Sequence, residues 1–66
     1  MKKYIVVVSK GLQTYGAEFI STSRNAKKHL IDTGADDCIV YTMNNESISA
    51  AKRDENGVPH NVILPL

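Results

Sequence analysis

The stretch Ser23-Arg24-Asn25-Ala26-Lys27-Lys28-His29-Leu30-Ile31-Asp32-Thr33-Gly34 decides the fold, because it carries clear helical spacing between runs of strand character. Ala26, Leu30 and Thr33 fall at i, i+4 and i+7 and so share one face of an amphipathic helix. Ala26, Lys27, Lys28 and Leu30 are good helix formers. The Ser23 hydroxyl is placed to accept from first-turn N–H groups as an N-cap, and Gly34 supplies a left-handed stop. A basic helix over residues 24–33 follows, with Leu30 as its most buried large side chain.

Working outward from the helix, both flanks read as strands. Upstream, Tyr4-Ile5-Val6-Val7-Val8 is continuous rather than alternating and is β-branched, the pattern of a central strand covered on both faces. Ala17 to Ser21 reads as a second strand with Phe19 as its core anchor. Gly11 and Gly16 bracket the connection between the two strands. Downstream, Ala35-Asp36-Asp37 forms a turn, Cys38 to Met43 a third strand, and Asn44-Asn45-Glu46 a short hairpin connection. Ser47 to Arg53 admits two readings. Its alanines and basic residues permit a helix, but Ile48 and Ala50 alternate with Ser47, Ser49 and Ala51, and Asp54 to Gly57 has hairpin-turn chemistry. The strand is the preferred reading. Pro59 lacks an N–H and suits the start of an edge strand that runs through Val62, Ile63 and Leu64. The resulting order is strand, strand, helix, strand, strand, strand. It predicts an α+β domain with about five antiparallel-rich strands and the helix on one face.

Sixty-six residues make a single small domain, in the size range where a chain buries only about 60% of its unfolded surface. Trp is absent and Phe19 is the one phenylalanine. The expected core is therefore aliphatic: Ile5, Val6, Val7, Val8, Ile20, Leu30, Ile39, Val40, Ile48, Val62, Ile63 and Leu64. Cys38 is the single cysteine and cannot form an internal disulfide. Inside an apolar run it reads as a small buried hydrophobe. A homodimer burying a sheet edge or face would enlarge such a limited core. The Met1-Lys2-Lys3 start with its apolar run is too short for a signal-peptide core and has no cleavage site after it, so the expected compartment is the cytoplasm. Nothing approaches the roughly 20 apolar residues of a membrane span.

Catalytic chemistry finds little support. His29 and His60 are the only histidines, and both read as solvated residues at a helix surface and a strand start. Asp36-Asp37 and Asp54-Glu55 read as turn acids. No phosphate-binding glycine loop, dinucleotide fingerprint or zinc spacing occurs. The expectation is a non-enzyme with no metal or cofactor.

Binding residues are better represented. Arg24, Lys27 and Lys28 form a basic patch at the helix start, and Lys52-Arg53 and Lys2-Lys3 are further basic pairs. Convergence of these groups would produce a phosphate-binding strip. With a net charge of +1, whole-molecule steering towards nucleic acid or anionic lipid is weak. Tyr15, in the glycine-bracketed connection, is a second candidate contact. An RNA-binding sheet would interleave aromatic and basic residues along adjacent strands, a pattern this chain does not show clearly.

The element order, the helix opening Ser23-Arg24-Asn25-Ala26-Lys27-Lys28 and the Ile48 to Arg53 strand followed by an Asn56-Gly57 turn together resemble small phage and mobile-element accessory proteins. They are similar in layout to some anti-CRISPR inhibitors of type I systems. The resemblance spans most of the chain but carries over no functional residue. It implies a non-enzymatic, anti-defence inhibitor that occupies a nucleic-acid-binding surface or subunit interface of a host complex. The chain departs from that group's nucleic-acid mimics in lacking strong acidity. Three functional expectations follow: an inhibitor or adaptor bound to a host protein complex; nucleic-acid binding through Arg24, Lys27, Lys28, Lys52 and Arg53; or sequestration of a small nucleotide at an oligomer interface.

Overall fold

A computed structural model describes residues 1–11 and 15–64, with the side chain of Tyr15 outside the description. The elements are β1 (Tyr4–Lys10), β2 (Tyr15–Ser21), α1 (Ala26–Thr33), β3 (Asp37–Thr42), β4 (Ser47–Arg53) and β5 (Pro59–Asn61). The strands form one antiparallel sheet in the order β2-β1-β3-β4-β5. The predicted α+β layout holds, and the ambiguous segment 47–53 is a strand.

Helix α1 lies across β1, β3, β4 and β5 on one face of the sheet. Its capping differs from the expectation at the front. Asn25, not Ser23, is the N-cap, with its side-chain oxygen accepting from Lys28 N–H at 3.2 Å. Ser23 acts one step earlier, where its Oγ accepts from Asn25 N–H at 3.3 Å. The two hydroxyl and amide caps in succession delay the helix to Ala26, which leaves Arg24 ahead of it. A further first-turn donor, Ala26 N–H, is satisfied from the sheet by Ser49 Oγ at 3.3 Å. At the other end Gly34 adopts φ 71° and its N–H donates to Ile31 C=O, as its left-handed freedom allows.

Beneath the helix the core consists of Val6, Val8, Ala26, Leu30, Ala35, Cys38, Val40 and Ala51, with Tyr4, Ala17, Phe19 and Ile48 packed around it. Leu30 is fully buried, as predicted. The core differs from the aliphatic forecast in being built largely from small residues. Alanines fill much of the space between helix and sheet, while Ile20 pairs with Ile5 on the sheet face away from the helix and Ile63 lies beyond the last strand. Ile20 is 53% exposed and Ile63 90% exposed. The last strand ends at Asn61, and the chain beyond it keeps one ladder bond, Val62 N–H to Ala50 C=O at 2.9 Å.

Three further side chains depart from the sequence reading. Thr33 is exposed, and the third buried helix residue is His29, 7% exposed. His29 is held there because its Nε2 meets Ser23 C=O at 2.8 Å and its ring meets Phe19 edge-on at 5.6 Å. Ile48 and Ala50 do not share a face. The β3–β4 register shifts between Val40 and Tyr41, where an extra β4 residue turns Ile48 onto the core.

Candidate functional site

The side of the sheet away from the helix has no element of the described chain lying on it. Strand alternation and the observed register define its surface row by row. One row runs Ile20, Ile5, Tyr41 across β2, β1 and β3. The next runs Glu18, Val7, Ile39, Ala50 across β2, β1, β3 and β4, with Val62 joined to Ala50 through its backbone bond. The third runs Gly16, Ser9, Asp37, Lys52, His60 and is polar. The open face is therefore amphipathic: two apolar rows, a polar row along one end, and an acid at the β2 edge. A shallow depression of about 330 Å³ crosses it, lined by Ser9, Asp37, Ile39, Ala50, Lys52 and Val62.

This corrects the expectation that β1 is covered on both faces. It is an interior strand, paired with β2 and β3, and α1 covers only its Val6 and Val8 side. Ile5, Val7, Ile39 and Tyr41 stay half-buried. The signal for this face was the unbroken run Ile5 to Val8, apolar at both parities. The described residues form one helix, which covers one face, so none of them lies over the other face of that run.

The predicted basic residues are distributed rather than gathered. Arg24, Lys27 and Lys28 are exposed around the start of α1. Lys52 is on the opposite side of the sheet, in the polar row of the open face. Arg53 points to the helix side. Its guanidinium donates to Ala35 C=O at 2.8 Å, Gly57 C=O at 2.8 Å and Leu30 C=O at 3.5 Å. It ties the helix, the connection to β3 and the β4–β5 turn together, so its donors serve the fold. Tyr15 pairs with Lys10 at the start of β2, and its predicted contact role lies outside the described residues, as do 12–14 of the connecting loop.

Comparison with protein-family models, curated proteins and solved structures finds no match. The chemistry therefore has to be read from the side chains themselves. Cys38 is 1% exposed, and burial pushes its thiol up to about 11. It stays protonated at neutral pH and is a poor nucleophile. Asp54 is held below its ordinary carboxylate value, first by the Val58 N–H and then by His60, with Asn56 N–H adding to the effect. His60 Nε2 lies 2.8 Å from Asp54 Oδ2, the single ion pair among the described residues. Both side chains are solvent-exposed, and the Asp54 bonds to Asn56 and Val58 close the β4–β5 turn. Among the described residues no group of three His, Cys, Asp or Glu is placed to hold a metal ion. No helix there is long and apolar enough to cross a membrane.

A second concavity of about 590 Å³ lies on the helix side, between the β1–β2 pair and the end of α1. Val8, Ala17, Phe19 and Ala35 line it, with Lys10 and Thr33 also contributing. It offers an apolar wall and one cation.

Proposed function

We propose that this chain is a non-enzymatic protein-binding module that works by occupying a surface, as a phage-type inhibitor or adaptor acting on a host protein complex would. The observation that carries the reading is the open sheet face. Ile5, Val7, Ile20, Ile39 and Tyr41 form a contiguous apolar area bordered by polar groups, which is the composition of a protein contact. Nucleic-acid binding has less support. Phosphate affinity requires several cations along one track, whereas Lys52 and Arg24 are on opposite sides of the sheet and the Arg53 donors hold the fold together.

The discriminating experiment is paired capture with full-length tagged protein. The wild type should retain a stoichiometric protein partner, Val7→Lys should lose it, and Arg24→Ala with Lys28→Ala should keep it. Retention by Val7→Lys overturns the reading. So does salt-sensitive recovery of nucleic acid that the double alanine variant abolishes.

A further inference from the structure

We propose that the free edge of β2 accepts an extended peptide segment carrying a lysine or arginine, which joins the sheet as an antiparallel strand beside Gly16, Glu18 and Ile20. This edge is a different surface from the open face, so the inference goes beyond the reading above and does not depend on it. β2 is an end strand of the sheet, paired on one side only, with β1.

Backbone direction along that edge follows from two hydrogen bonds on the far side of the sheet. Arg53 N–H donates to Asp36 C=O at 2.9 Å, and Val62 N–H donates to Ala50 C=O at 2.9 Å. Bonded and non-bonded pairs alternate along an antiparallel ladder. In the β3–β4 register, Cys38 and Val40 therefore turn their backbone groups to β4, and Ile39 and Tyr41 turn theirs to β1. Their partners Val7 and Ile5 face β3, which leaves Val6 and Val8 facing β2. Phe19 and Ala17 answer them. Gly16, Glu18 and Ile20 are left with N–H and C=O groups pointing out of the sheet, and no described residue bonds to them there.

The two ends of the sheet are built differently. β5 is three residues long, opens on Pro59 and is met by α1, features that discourage further pairing. β2 runs for seven residues without a proline. The helix backbone stops short of β2, and the His29 ring reaches across to Phe19. Ala17 and Phe19 stay half-buried beside the apolar concavity, so side chains on the helix side of an added strand would meet apolar neighbours. On the other side Ile20 and Glu18 are exposed. Glu18 is the single charged residue of β2 and has no ion pair among the described residues, which favours a base directly opposite it. A second copy of β2 fits less well. Full overlap sets Glu18 against its own copy, and like charges directly opposite are unfavourable. A two-residue slip removes that contact only by carrying Gly16 or Ile20 past the end of the copy's β2.

NMR titration of the isotope-labelled full chain tests the proposal, with the synthetic peptide acetyl-Val-Thr-Lys-Ile-Tyr-amide added to about 2 mM. Its lysine is placed opposite Glu18, its valine opposite Ile20 and its tyrosine opposite Gly16. Amide shifts should centre on Gly16, Glu18 and Ile20, and hydrogen exchange at those amides should slow, while Ala17 and Phe19, already bonded to β1, change little. Methylating the backbone nitrogen of the peptide lysine should abolish binding, because that N–H donates to Glu18 C=O. Methylating the nitrogen of the next residue, which points away from β2, should leave affinity within about twofold. These peptide controls do not depend on whether any protein variant folds. Glutamate in place of the peptide lysine should weaken binding by about three- to tenfold, and Glu18→Lys should reverse that preference. Absence of edge shifts at the highest concentration overturns the proposal, as do equal binding of the two methylated peptides and shifts confined to Ile5, Val7 and Ile39. Exchange protection at Gly16, Glu18 and Ile20 that grows with chain concentration alone makes the occupant a second copy and also overturns it. If the peptide fails to bind while Val7→Lys still loses its captured protein, the edge proposal falls and the open-face reading stands.

Discussion

Val6 and Val7 are the same residue type, adjacent in the same strand, and point in opposite directions. Val6 is fully buried beneath the helix among Leu30, Cys38 and Val40, whereas Val7 is half-buried among Ile5, Ile39 and Glu18 on a face that nothing in the described chain covers. The difference separates two roles for apolar residues in a short chain. Those under the helix determine whether the domain folds. Those on the other face are available for contact, and their truncation should be tolerated by the isolated domain. Substitution across the two faces tests that division directly.

The largest effect belongs to the covered face. Leu30→Ala should cost about 2–5 kcal/mol through lost transfer energy and a cavity that the surrounding strands cannot fill. A domain of this size holds little more than that, so denaturant melts should find the variant mostly unfolded. Ile39→Ala, read under conditions where the chain is monomeric, should cost less than half as much, because its side chain is only partly withdrawn from water. Equal losses would erase the distinction between the faces. Lys28→Ala, exposed on the helix, should change stability by less than about 0.5 kcal/mol.

A smaller contrast separates two adjacent basic residues. Arg53→Met removes donors from Ala35, Gly57 and Leu30 carbonyls and should cost about 1–3 kcal/mol, the range for leaving partly buried acceptors unpaired. Lys52→Met on the open face should stay within about 0.5 kcal/mol. The pair is informative because sequence alone treats Lys52 and Arg53 as one basic motif. At the low end of the Arg53→Met range, Asn25→Ala should cost about 1 kcal/mol by removing the helix cap, with Ser23→Ala milder. Thermal melts of the two variants would show which residue caps the helix in solution.

The architecture was legible because its signals are local. Helical spacing at Ala26 and Leu30, the Gly34 stop, and the β-branched runs each depend on neighbours in sequence. The turn chemistry after the ambiguous segment 47–53 pointed to a strand, although the alternation that paired Ile48 with Ala50 is broken by the register shift. What could not be read depends on contacts between distant segments. His29 reads as a solvated helix residue until Phe19 and Ser23 C=O are brought to it. Arg53 reads as a free cation until three carbonyls from separate segments surround it. The register shift that moves Ile48 onto the core arises in strand pairing, and residue types alone do not encode it. The open face falls between these cases. The run Ile5 to Val8 announced two apolar sides, and counting helices would have shown that one side lacks cover.

The pH dependence makes the finest distinction, between a titrating group under the helix and one on an exposed turn. Burial raises the Cys38 thiol from 9.0 to about 11, so the folded state holds its proton more tightly than the unfolded chain does. The stability tied to that proton is fully present below pH 9 and is lost as pH rises from 9 towards 11. Cys38→Ala should flatten this part of the stability profile, and the difference between the two profiles isolates the thiol from other groups that titrate at alkaline pH. Asp54 has the opposite sign. The Val58 N–H and His60 lower its folded value beneath 3.8. Its contribution is therefore present above that unfolded value and disappears as pH falls through the lower folded value. Because Asp54 is solvent-exposed, its effect should be smaller than that of Cys38. It should be seen as a slight acid-side fall in melting midpoint that Asp54→Asn removes. An alkaline fall that persists unchanged in Cys38→Ala would mean that the thiol is not sealed beneath the helix, and the contrast between the covered and open faces would weaken at a core residue that is 1% exposed.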